Sequence, residues 1–454
     1  MIIGQARAEI KSGLKKDMQF SRRNFLLTLP ALAAVGGHVR SESSSSDIRL
    51  RPNMSGNDDS PYIQKALDHA LQGQRIILDR GVYNIGSTIL GRGDISIIAN
   101  GDVLLKKKAG SAGHIIDFVG PYRNIDISGI SFDSNMIDSG IWLENVQNVK
   151  IGNCQFSNHP WWGIVIGTRQ NKSSAIANRK IVIDGCVFEN SSQTYEHVLV
   201  LNSENVAISR SSFSNSVDGI GIGLYQNCSN ILVEKCKFSN LKTASYYSLS
   251  CNNIIYSNCK IIDTDTGIQG SNLSDNGSFG YENSKGLSVT RCIFSRNRDA
   301  GLILGAVSGA LVEDSIFFGN MGPAIIVNGG GISVHKASNG IVVRRNIFVD
   351  NNANDLPSIN APAILFAGSG GAMNMDVIDC QFEDRRAVAR QRYPIAFVGP
   401  HRWSGVRVSN SRLLSYRGGL AIGSGDRAQL QGITIKGGQF SSNGLPAGVS
   451  PVPQ

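Results

Sequence analysis

Several common signals are missing from this 454-residue chain. It has no CxxC motif, which argues against a zinc site, and the residues alone predict no bound metal. It has no run of basic residues of the kind that binds nucleic acid. The apolar stretch near the N-terminus, residues 25–37, is too short to span a membrane. The fold and function classes therefore have to come from the patterns that the chain does contain.

One short pattern recurs along most of the chain. It is clearest at residues 148–156, 230–238 and 253–261, where alternating apolar residues lead to an aromatic or aliphatic end. Successive ends are 23 to 34 residues apart. A period in this range predicts a solenoid, because one repeat cannot bury its apolar face alone. The copies end at Phe132, Phe156, Phe188, Phe213, Phe238, Ile261, Phe294, Phe317, Phe348, Phe382, Leu413 and Phe440.

A turn residue stands eight positions before each end. It is Asn or Gly in eleven of the twelve copies and Lys180 in the other. Because Asn and Gly tolerate the left-handed backbone conformation, we predict one tight turn per coil at this position. Apolar residues then alternate as in a strand, and nothing in the repeat has helical period. A second strand, of the form Gly-Ile-x-Ile, recurs at Gly163, Gly219, Gly267 and Gly301.

These features predict an all-β fold, a single-stranded right-handed parallel β-helix of about 12 coils. The repeat resembles that of pectate lyases and polygalacturonases, which have this fold. Residues 58–66 read Asp-Asp-Ser-x-x-Ile-Gln-x-Ala, and a Gly-x-Tyr-x-Ile strand follows at 81–85. This order resembles the N-terminus of pectate-lyase-like proteins, in which a helix caps the open end of the β-helix. We therefore predict a cap helix at about 61–72, with Ser60 as its N-cap.

The N-terminal segment resembles an export signal. Residues 21–26 read Ser-Arg-Arg-Asn-Phe-Leu, which is similar to the twin-arginine motif, and the apolar stretch follows directly. The resemblance implies that the twin-arginine export machinery is a partner and that the protein is periplasmic or secreted. Either Met1 or Met18 fits as the start of this signal.

The rest of the chain divides into three segments. We assign residues 1–40 to the signal, 41–57 to a Ser-rich leader, 58–440 to the β-helix domain and 441–454 to a disordered tail. Without the signal the net charge falls from +9 to +4, because that segment holds seven Lys or Arg and two Asp or Glu. This mild charge permits an acidic glycan as a partner without requiring one, and it leaves the oligomeric state open.

The eight cysteines fall into two groups. Six occupy one column two residues before the repeat end and are expected to be small core residues: Cys154, Cys186, Cys236, Cys259, Cys292 and Cys380. Cys228 and Cys251 lie at matching points of adjacent coils, about 4.8 Å apart if they are strand neighbours. Both a disulfide and two stacked thiols are compatible with that spacing.

Four carboxylates fall on one line when the coils are aligned on the glycine of the second strand. We take this line, with the adjacent histidine, as the candidate catalytic set: Glu196, His197, Asp218, Asp265 and Asp299. Nearest members are expected about 5–10 Å apart, a range in which carboxylates can divide acid and base roles and which covers both retaining and inverting glycosidases. The alternative is that each Asp merely ends a loop, since Asp is a common turn residue.

Aromatic residues near the same line suggest sugar binding, because flat rings stack on sugars. The candidate substrate-binding residues are Trp161, Trp162, Tyr195, Tyr247 and Arg298. Longer coils also carry insertions beside this strand, where function is expected on a rigid scaffold: 167–180, 270–285, 328–339, 351–361 and 384–394.

The resemblance does not extend to specific enzyme motifs. The Asn-Thr-Asp, Gly-His-Gly and Arg-Ile-Lys motifs of polygalacturonases are absent, and Asp218 only faintly echoes their Asp-Asp motif. The Tyr, acid, His, acid arrangement of mannuronan epimerases is approached only by residues 195–197 and Asp218. A calcium ion is implied only if the protein is a pectate-lyase-like lyase, with Asp265, Asp299 and Arg298 as its site.

Two hypotheses follow. The first is an exported polysaccharide-active enzyme, a hydrolase, lyase or epimerase. The second is a non-catalytic β-helix that binds glycans or sits at the cell surface. Side chains that converge on one open groove favour the enzyme, whereas acids scattered around the coil favour the second hypothesis.

Overall fold

The computed structural model describes the following residues: 47–53, 56–167, 178–191, 195–248, 250–270, 284–305, 307–328, 338–352, 362–367, 372–386, 393–398, 402–414, 422–424, 429–436 and 449–452. The predicted export signal, Phe440 and the central part of each predicted insertion lie outside these residues.

The described chain is built from parallel strands wound into coils. Numbered along the chain, the first six are β1 (Ile48–Leu50), β2 (Arg75–Ile85), β3 (Ile89–Leu90), β4 (Ile95–Lys107), β5 (Ile116–Asp133) and β6 (Ile141–Gly152). Strands β5 and β6 continue through corners, so each covers more than one side of its coil. Corresponding residues of successive coils pair in register, as in Ile97 with Ile127 and Ile127 with Ile151.

From β6 onward each coil has three faces. Face A holds the strand that follows the predicted turn: β9 (Asn178–Asp184), β12 (Ser203–Ser209), β14 (Ser229–Glu234), β16 (Asn252–Ser257), β19 (Ser284–Lys285), β20 (Ser288–Thr290), β23 (Val307–Ser308), β24 (Leu311–Glu313), β27 (Ser338–Arg344), β30 (Ala372–Ile378), β33 (Arg402–Ser409), β36 (Gln429–Gln431), β37 (Ile433–Lys436) and β38 (Val449–Val452).

Face B holds the short strand that contains the repeat end: β7 (Gln155–Ser157), β10 (Val187–Glu189), β17 (Lys260–Ile262), β21 (Ile293–Ser295), β25 (Ile316–Phe318), β28 (Ile347–Val349), β31 (Gln381–Glu383) and β34 (Arg412–Leu414). Face C holds the Gly-Ile-x-Ile strand: β8 (Ile164–Ile166), β11 (Glu196–Leu201), β18 (Thr266–Gly270), β22 (Ala300–Gly305), β26 (Ile325–Asn328), β29 (Ile364–Ala367), β32 (Ile395–Phe397) and β35 (Ile422–Ser424). Strands β13 (Ser212–Tyr225) and β15 (Lys237–Tyr247) run from face B to face C.

The alternation of the sequence explains why these strands form a core. On face A, Val149, Ile181, Val206 and Ile231 stack in register and are almost fully buried, while the residues between them point outward. Each coil thus buries the apolar side of the next, and the predicted all-β parallel β-helix is confirmed.

Left-handed residues make the corners of the coil. All twelve positions of the predicted turn column have positive φ, between 53° and 69°, including the exception Lys180. Among the described residues the structure has three further left-handed columns, one between faces A and B, one after face B, and one after face C at Asn145, Asn202 and Gln226. In those columns residues such as Lys235 and Arg296 stand beside Asn258 and Asn240, so no single residue type marked them in the sequence.

Aromatic rings fill the interior beneath face B. Phe132, Phe156, Phe188, Phe213 and Phe238 stack with ring centroids 4.8–4.9 Å apart and nearly parallel planes. Stacked rings at the strand spacing gain both buried area and a favourable offset geometry. The repeat end is therefore the main core position of each coil.

A buried polar ladder runs beside these rings. The amide of Asn297 donates to the Asn320 side-chain oxygen (2.9 Å), and that of Asn320 donates to Asn351 (2.6 Å). The same oxygens accept backbone N–H groups of the preceding coil, so polar groups at this corner are satisfied inside the protein.

The cysteines are all buried and reduced. The thiol of Cys259 contacts the carbonyl oxygens of Val233 and Ser257 (3.4 and 3.5 Å), which is typical of the column. Cys228 and Cys251 are also free thiols, so the stacked alternative applies rather than the disulfide.

The N-terminal end is capped by the one α-helix among the described residues, α1 (Ser60–His69). It buries Ile63 and Leu67 against the first coil and ends earlier than predicted. Its N-cap is Asp59 rather than Ser60; Asp58 accepts hydrogen bonds from the Ser60 backbone (2.9 Å) and hydroxyl (2.6 Å). Although burial raises the pKa of Asp58, these hydrogen bonds lower it overall.

Both ends of the β-helix reach further than the sequence suggested. Strand β1 lies within the predicted leader and pairs with β2, with Leu50 in the core. Strand β38 lies within the predicted disordered tail and pairs with β37. Short strands in Ser- and Pro-rich segments give weak sequence signals, because pairing with an existing edge, not local propensity, stabilises them.

Candidate functional site

On face C, the register of the coils in the structure differs from the register predicted from the sequence. The core glycine column contains Gly163, Gly221 and Gly301. A side chain on each would collide with a core Phe ring, which is Phe188, Phe238 or Phe317 respectively. Residues 219–222 and 221–224 both fit the Gly-Ile-x-Ile pattern, and a shift of two residues keeps the alternation unchanged. Asp218 therefore lies off the predicted line. It is exposed, in the part of β13 where the pairing with β15 is irregular.

Two predicted site residues point into the core and are corrected here. His197 occupies the glycine column and is fully buried between the rings of Phe188 and Phe213. Tyr247 is also buried, with its hydroxyl in the space that a side chain at Gly270 would fill. Strand alternation turns the neighbouring Tyr246 outward instead. Neither His197 nor Tyr247 can contact a substrate on the surface.

Asp265, Asp299 and Arg298 form a separate group at the corner before face C. The Arg298 guanidinium lies 3.0 Å from the Asp265 carboxylate, and Asp299 stands on the adjacent coil. Partial burial and the charge of Asp265 raise the pKa of Asp299, while Arg298 opposes the rise. The register places Thr266 three strands from Glu196, or about 14 Å at the usual strand spacing. The predicted acids do not converge on one point.

Glu196 is the predicted acid around which other side chains do converge. It begins β11 and is only 6% exposed, yet it lies on the outer side of face C. The indole Nε1 of Trp162 donates to its Oε2 (2.9 Å), and the Tyr225 hydroxyl donates to its Oε1 (2.5 Å). Trp162 stands one coil before Glu196 and Tyr225 one coil after, so the carboxylate is held from both sides.

Gly223 makes room for this arrangement. It pairs with Leu199 of the preceding coil and has no side chain on the outer face. A Cβ there would lie 2.5 Å from Glu196 Cγ and 2.6 Å from a ring carbon of Tyr225. The bare backbone thus allows the carboxylate and the phenol to lie against the sheet and meet each other.

Aromatic rings cover the surface on both sides of Glu196. Toward the N-terminal coils, Trp161, Trp162 and Tyr195 form a cluster with centroids 4.7–5.9 Å apart. Toward the C-terminal coils, Tyr225 packs on Tyr246 at 5.1 Å. Trp161 is the most exposed of the cluster, at 38%. Trp161, Trp162 and Tyr195, which the sequence analysis proposed as substrate-binding residues, lie beside Glu196.

The row continues over two earlier coils. Trp142 meets Trp162 edge-on (6.2 Å) and stacks on His114 (4.8 Å), and its Nε1 donates to Glu144 (3.3 Å). Nδ1 of His114 lies 3.0 Å from the Asp138 carboxylate. Burial raises the pKa of Asp138, but hydrogen bonding and the charge of His114 lower it overall.

Four residues of this site were not predicted from the sequence: Trp142, Glu144, Gly223 and Tyr225. Of the adjacent pair Tyr246 and Tyr247, Tyr247 was predicted to bind substrate, whereas Tyr246 is the one on the surface. These residues could have been found at the outward positions of face C, which are the x of Gly-Ile-x-Ile and the residue two positions after that x. Reading those columns gives Trp142 and Tyr246 in one and Glu144 and Tyr225 in the other. The candidate acids were predicted instead from the positions just before the glycine.

The described residues do not fit a calcium or other metal site. No group of three or more His, Cys, Asp or Glu side chains within them lies close enough to hold an ion. Arg298 already neutralises Asp265, which the lyase resemblance would have used as a ligand. We therefore derive no step that depends on a metal. None of the helices in the described part of the chain is long and apolar enough to cross a membrane.

The fold is a parallel β-helix, and the candidate site is a row of aromatic and acidic side chains on one of its outer faces. The family of the right-handed β-helix region matches residues 139–283 and 268–399, together more than half of the chain. The chain belongs to this family. No curated protein matches it in sequence.

Solved structures with the same fold include enzymes and an adhesin. The A-module of the mannuronan C-5 epimerase AlgE6 from Azotobacter vinelandii is 15% identical, with a TM-score of 0.56 over 88% of this chain and 96% of that one. The surface adhesin PfbA of Streptococcus pneumoniae is 13% identical, with a TM-score of 0.53 over 87% and 91%. The family 28 exopolygalacturonase of Yersinia enterocolitica is 12% identical, with a TM-score of 0.55 over 86% and 78%. At these identities the likeness shows the fold alone.

Proposed function

We propose that the protein is exported and acts on a polysaccharide that lies along the outer side of face C. The observation that carries the proposal is the Glu196 carboxylate, buried among aromatic rings and hydrogen-bonded to Trp162 and Tyr225. Structural neighbours that include a mannuronan epimerase and an exopolygalacturonase support a polysaccharide as the substrate class.

The length of the aromatic row supports a polymer rather than a single sugar. From His114 to Tyr246 the row crosses six successive strands, about 24 Å at the usual strand spacing. Flat rings spaced along such a surface bury successive sugar rings. The parallel strands keep the rings in register, so the platform does not need a ligand to organise it.

The Tyr225–Glu196 pair supports proton transfer as the chemistry. Tyr225 is half-buried whereas Glu196 is buried, so Tyr225 is the member of the pair that a sugar would contact. When Tyr225 removes a proton from a sugar carbon, its own proton passes to Glu196 along the 2.5 Å hydrogen bond. In an elimination, the electron pair left on the sugar expels the glycosidic oxygen from the neighbouring carbon, and that oxygen takes a proton from water. In an epimerisation, the same electron pair takes a proton from water on the opposite face of the sugar. General acid–base groups of this kind contribute about 10²–10⁴-fold to a rate.

This pair suits elimination or epimerisation better than hydrolysis. Glycoside hydrolysis usually needs two carboxylates about 5–10 Å apart. Among the described residues of this face, Glu144 lies two strands before Glu196 and at the opposite end of the strand, since Leu143, Ile166 and Val200 share one register position. The indoles of Trp142 and Trp162 lie between the two carboxylates. A base that removes a proton needs no second carboxylate.

The test compares Glu196→Gln and Tyr225→Phe with the control Glu234→Gln, which removes a partly exposed carboxylate from face A. Each variant is assayed on a panel of neutral and acidic polysaccharides for unsaturated products, changed sugar stereochemistry and new reducing ends. We expect both site variants to lose about 10²-fold or more of the turnover and the control to keep it. Full activity of Glu196→Gln would rule out this assignment.

A second candidate, binding without catalysis, is favoured by a specific observation. Both oxygens of Glu196 accept hydrogen bonds and the side chain is almost buried, as in a carboxylate that only orders its neighbours. The adhesin among the structural neighbours has the same fold. This candidate predicts that the wild-type protein binds a polysaccharide and releases no product, and that Trp161→Ala weakens the binding.

A further inference from the structure

A groove of about 660 Å³ lies at the corner between faces C and A of the first coils. Its walls come from four successive coils and include Arg92, Arg123 and Arg179. Arg123, Gln147 and Arg179 occupy one register position on β5, β6 and β9, so the groove crosses the strands. It lies outside the aromatic row and has no part in the chemistry proposed for Glu196.

The two outer arginines are held in place by the fold. Arg92 donates to the Ala70 carbonyl oxygen (3.0 Å) at the C-terminal end of α1. Arg179 lies 3.1 Å from the Glu204 carboxylate on the next coil. Each cation therefore has a fixed position on the groove wall, and little side-chain entropy is lost when a ligand binds.

Arg123 differs from other arginines of this β-helix. Arg296, Arg345 and Arg407 each form two hydrogen bonds to a carboxylate of the preceding coil. Arg123 has Gln147 beside it in the register and, within the described part of the chain, makes no ion pair. Its guanidinium is exposed at the groove and retains its donors.

The one carboxylate in the lining is already occupied. Asp94 Oδ1 accepts from the Asn124 amide (2.6 Å), and its Oδ2 accepts from the Gln72 amide (3.1 Å). The three arginines and Asp94 leave a formal charge of +2 on the lining, and the Glu204 carboxylate that pairs with Arg179 reduces the local charge to +1. An anion with several acceptor oxygens on one compact group matches this charge and can accept hydrogen bonds from more than one guanidinium.

We propose that this groove binds a phosphate monoester or a free phosphate dianion. The guanidinium fork pairs bidentately with tetrahedral oxyanions, and several arginines around one dianion are a common solution for phosphate. A sugar carboxylate offers two oxygens in one plane, whereas a phosphate group offers three or four in a tetrahedral arrangement and can therefore accept from more guanidinium groups. Binding needs no covalent step and does not depend on the function proposed for face C.

The test is calorimetric titration of the full chain at low ionic strength with inorganic phosphate, glucose 6-phosphate and methyl glucuronide. We expect one site for the phosphates and binding of the glucuronide at least about tenfold weaker. Arg123→Gln and Arg179→Gln should each weaken phosphate binding by about tenfold or more, since each removes a charge-assisted hydrogen bond. Arg80→Gln, which removes an exposed arginine of β2 outside the groove, is the matched control and should leave the affinity unchanged.

The outcomes separate this inference from the proposed function. Equal affinity for inorganic phosphate and glucose 6-phosphate would mean that the phosphate group alone is recognised, and preference for the sugar phosphate would place the sugar in the groove as well; both support the site. No phosphate binding, equally tight glucuronide binding, or an equal loss in Arg80→Gln would overturn it. Glu196→Gln should keep full phosphate affinity whether or not it loses activity on polysaccharides.

Discussion

At the scale of single residues, the candidate site depends on a position that carries no side chain. Gly223 has no side chain, so Glu196 and Tyr225 can both lie against the backbone of the sheet at this point. This position brings them close enough to form the short hydrogen bond. The chemistry of the carboxylate is thus set by a residue on the following coil. A site built on paired strands holds such contacts more firmly than a loop does.

We predict that Gly223→Ala removes activity while the fold is retained. The added methyl would displace Glu196 and the Tyr225 ring, and a displacement of about 1 Å at a reacting group can cost on the order of 10²-fold in rate. Turnover and melting temperature are the measurements. Gly152→Ala is the control, because its methyl would meet no atom closer than 3.9 Å. Equal turnover of the two variants would contradict the geometry.

A second residue-scale feature is the buried pair His159 and His197. Nε2 of His159 lies 2.7 Å from Nδ1 of His197, and both rings are fully buried. Burial lowers the pKa of His159 to about 3, and burial together with the charge of His159 lowers the pKa of His197. The folded protein therefore keeps both imidazoles neutral.

The pair predicts acid-sensitive stability. As the pH falls below about 6.5, each imidazole gains a proton in the unfolded chain but not in the folded one, so the free energy of unfolding falls by about 1.4 kcal/mol per pH unit for each ring. Other coils have Asn297 and Asn320 at the corner position that His159 occupies, so asparagine suits this position. His159→Asn should therefore reduce the pH dependence of the free energy of unfolding between about pH 6.5 and 5. Denaturant unfolding across that range measures it. His69→Asn, on the exposed side of α1, should leave the slope unchanged, and an equal effect of both variants would refute the explanation.

At the scale of the element, the coil depends on left-handed corners. Asn230 and Asn253 have φ of 55° and 53°, and the Asn253 amide donates to the Asn230 side-chain oxygen (3.1 Å). Asparagine suits this corner for two reasons, since it tolerates the conformation and links neighbouring coils. The Lys180 corner shows that the coil imposes the conformation even where the residue does not favour it.

We predict different costs for two substitutions at this corner. Asn230→Val should destabilise the protein by about 1–2 kcal/mol, because a β-branched residue resists positive φ. Asn230→Gly loses only the exposed hydrogen bond and should cost less than 1 kcal/mol, on the order of a surface substitution. Chemical denaturation of both variants provides the comparison. If they prove equally unstable, backbone conformation is not what selects asparagine here.

At the scale of the whole molecule, the β-helix lets distant parts of the sequence build one surface. The aromatic row takes residues from His114 to Tyr246 and aligns them only because each coil repeats the register of the last. Such a protein has contacts mainly between neighbouring coils, so its ends need protection. Helix α1 protects one end by packing its apolar stripe against β2 and β3.

Export is a property of the whole chain and remains a prediction. Arg22 and Arg23 precede an apolar stretch at the N-terminus, as in twin-arginine signals, which carry folded proteins. Changing both arginines to lysine should retain the precursor in the cytoplasm, whereas the wild-type protein is found outside it. Cell fractionation of the two forms is the measurement. Undiminished export of the double variant would contradict the twin-arginine route.

The fold of this protein could be predicted from residue patterns within single repeats. Period, alternation and the Asn or Gly column are local consequences of a coil that repeats, so they appear directly in the residues, and the structure confirms the all-β parallel β-helix. The same reading found Glu196 beside Trp161, Trp162 and Tyr195, because these residues are adjacent on successive coils. It failed for Asp218, where two registers fit the pattern equally well.

Which side chains of the candidate site contact one another depends on the tertiary structure. Whether a residue at the end of a strand faces in or out depends on the corner before it, and this placed His197 and Tyr247 in the core and Tyr246 on the surface. Glu196 and Tyr225 come from different coils and meet over Gly223, a contact that no spacing along the chain encodes. Such contacts are fixed by the register between coils, which arises from packing of the whole core rather than from any one repeat.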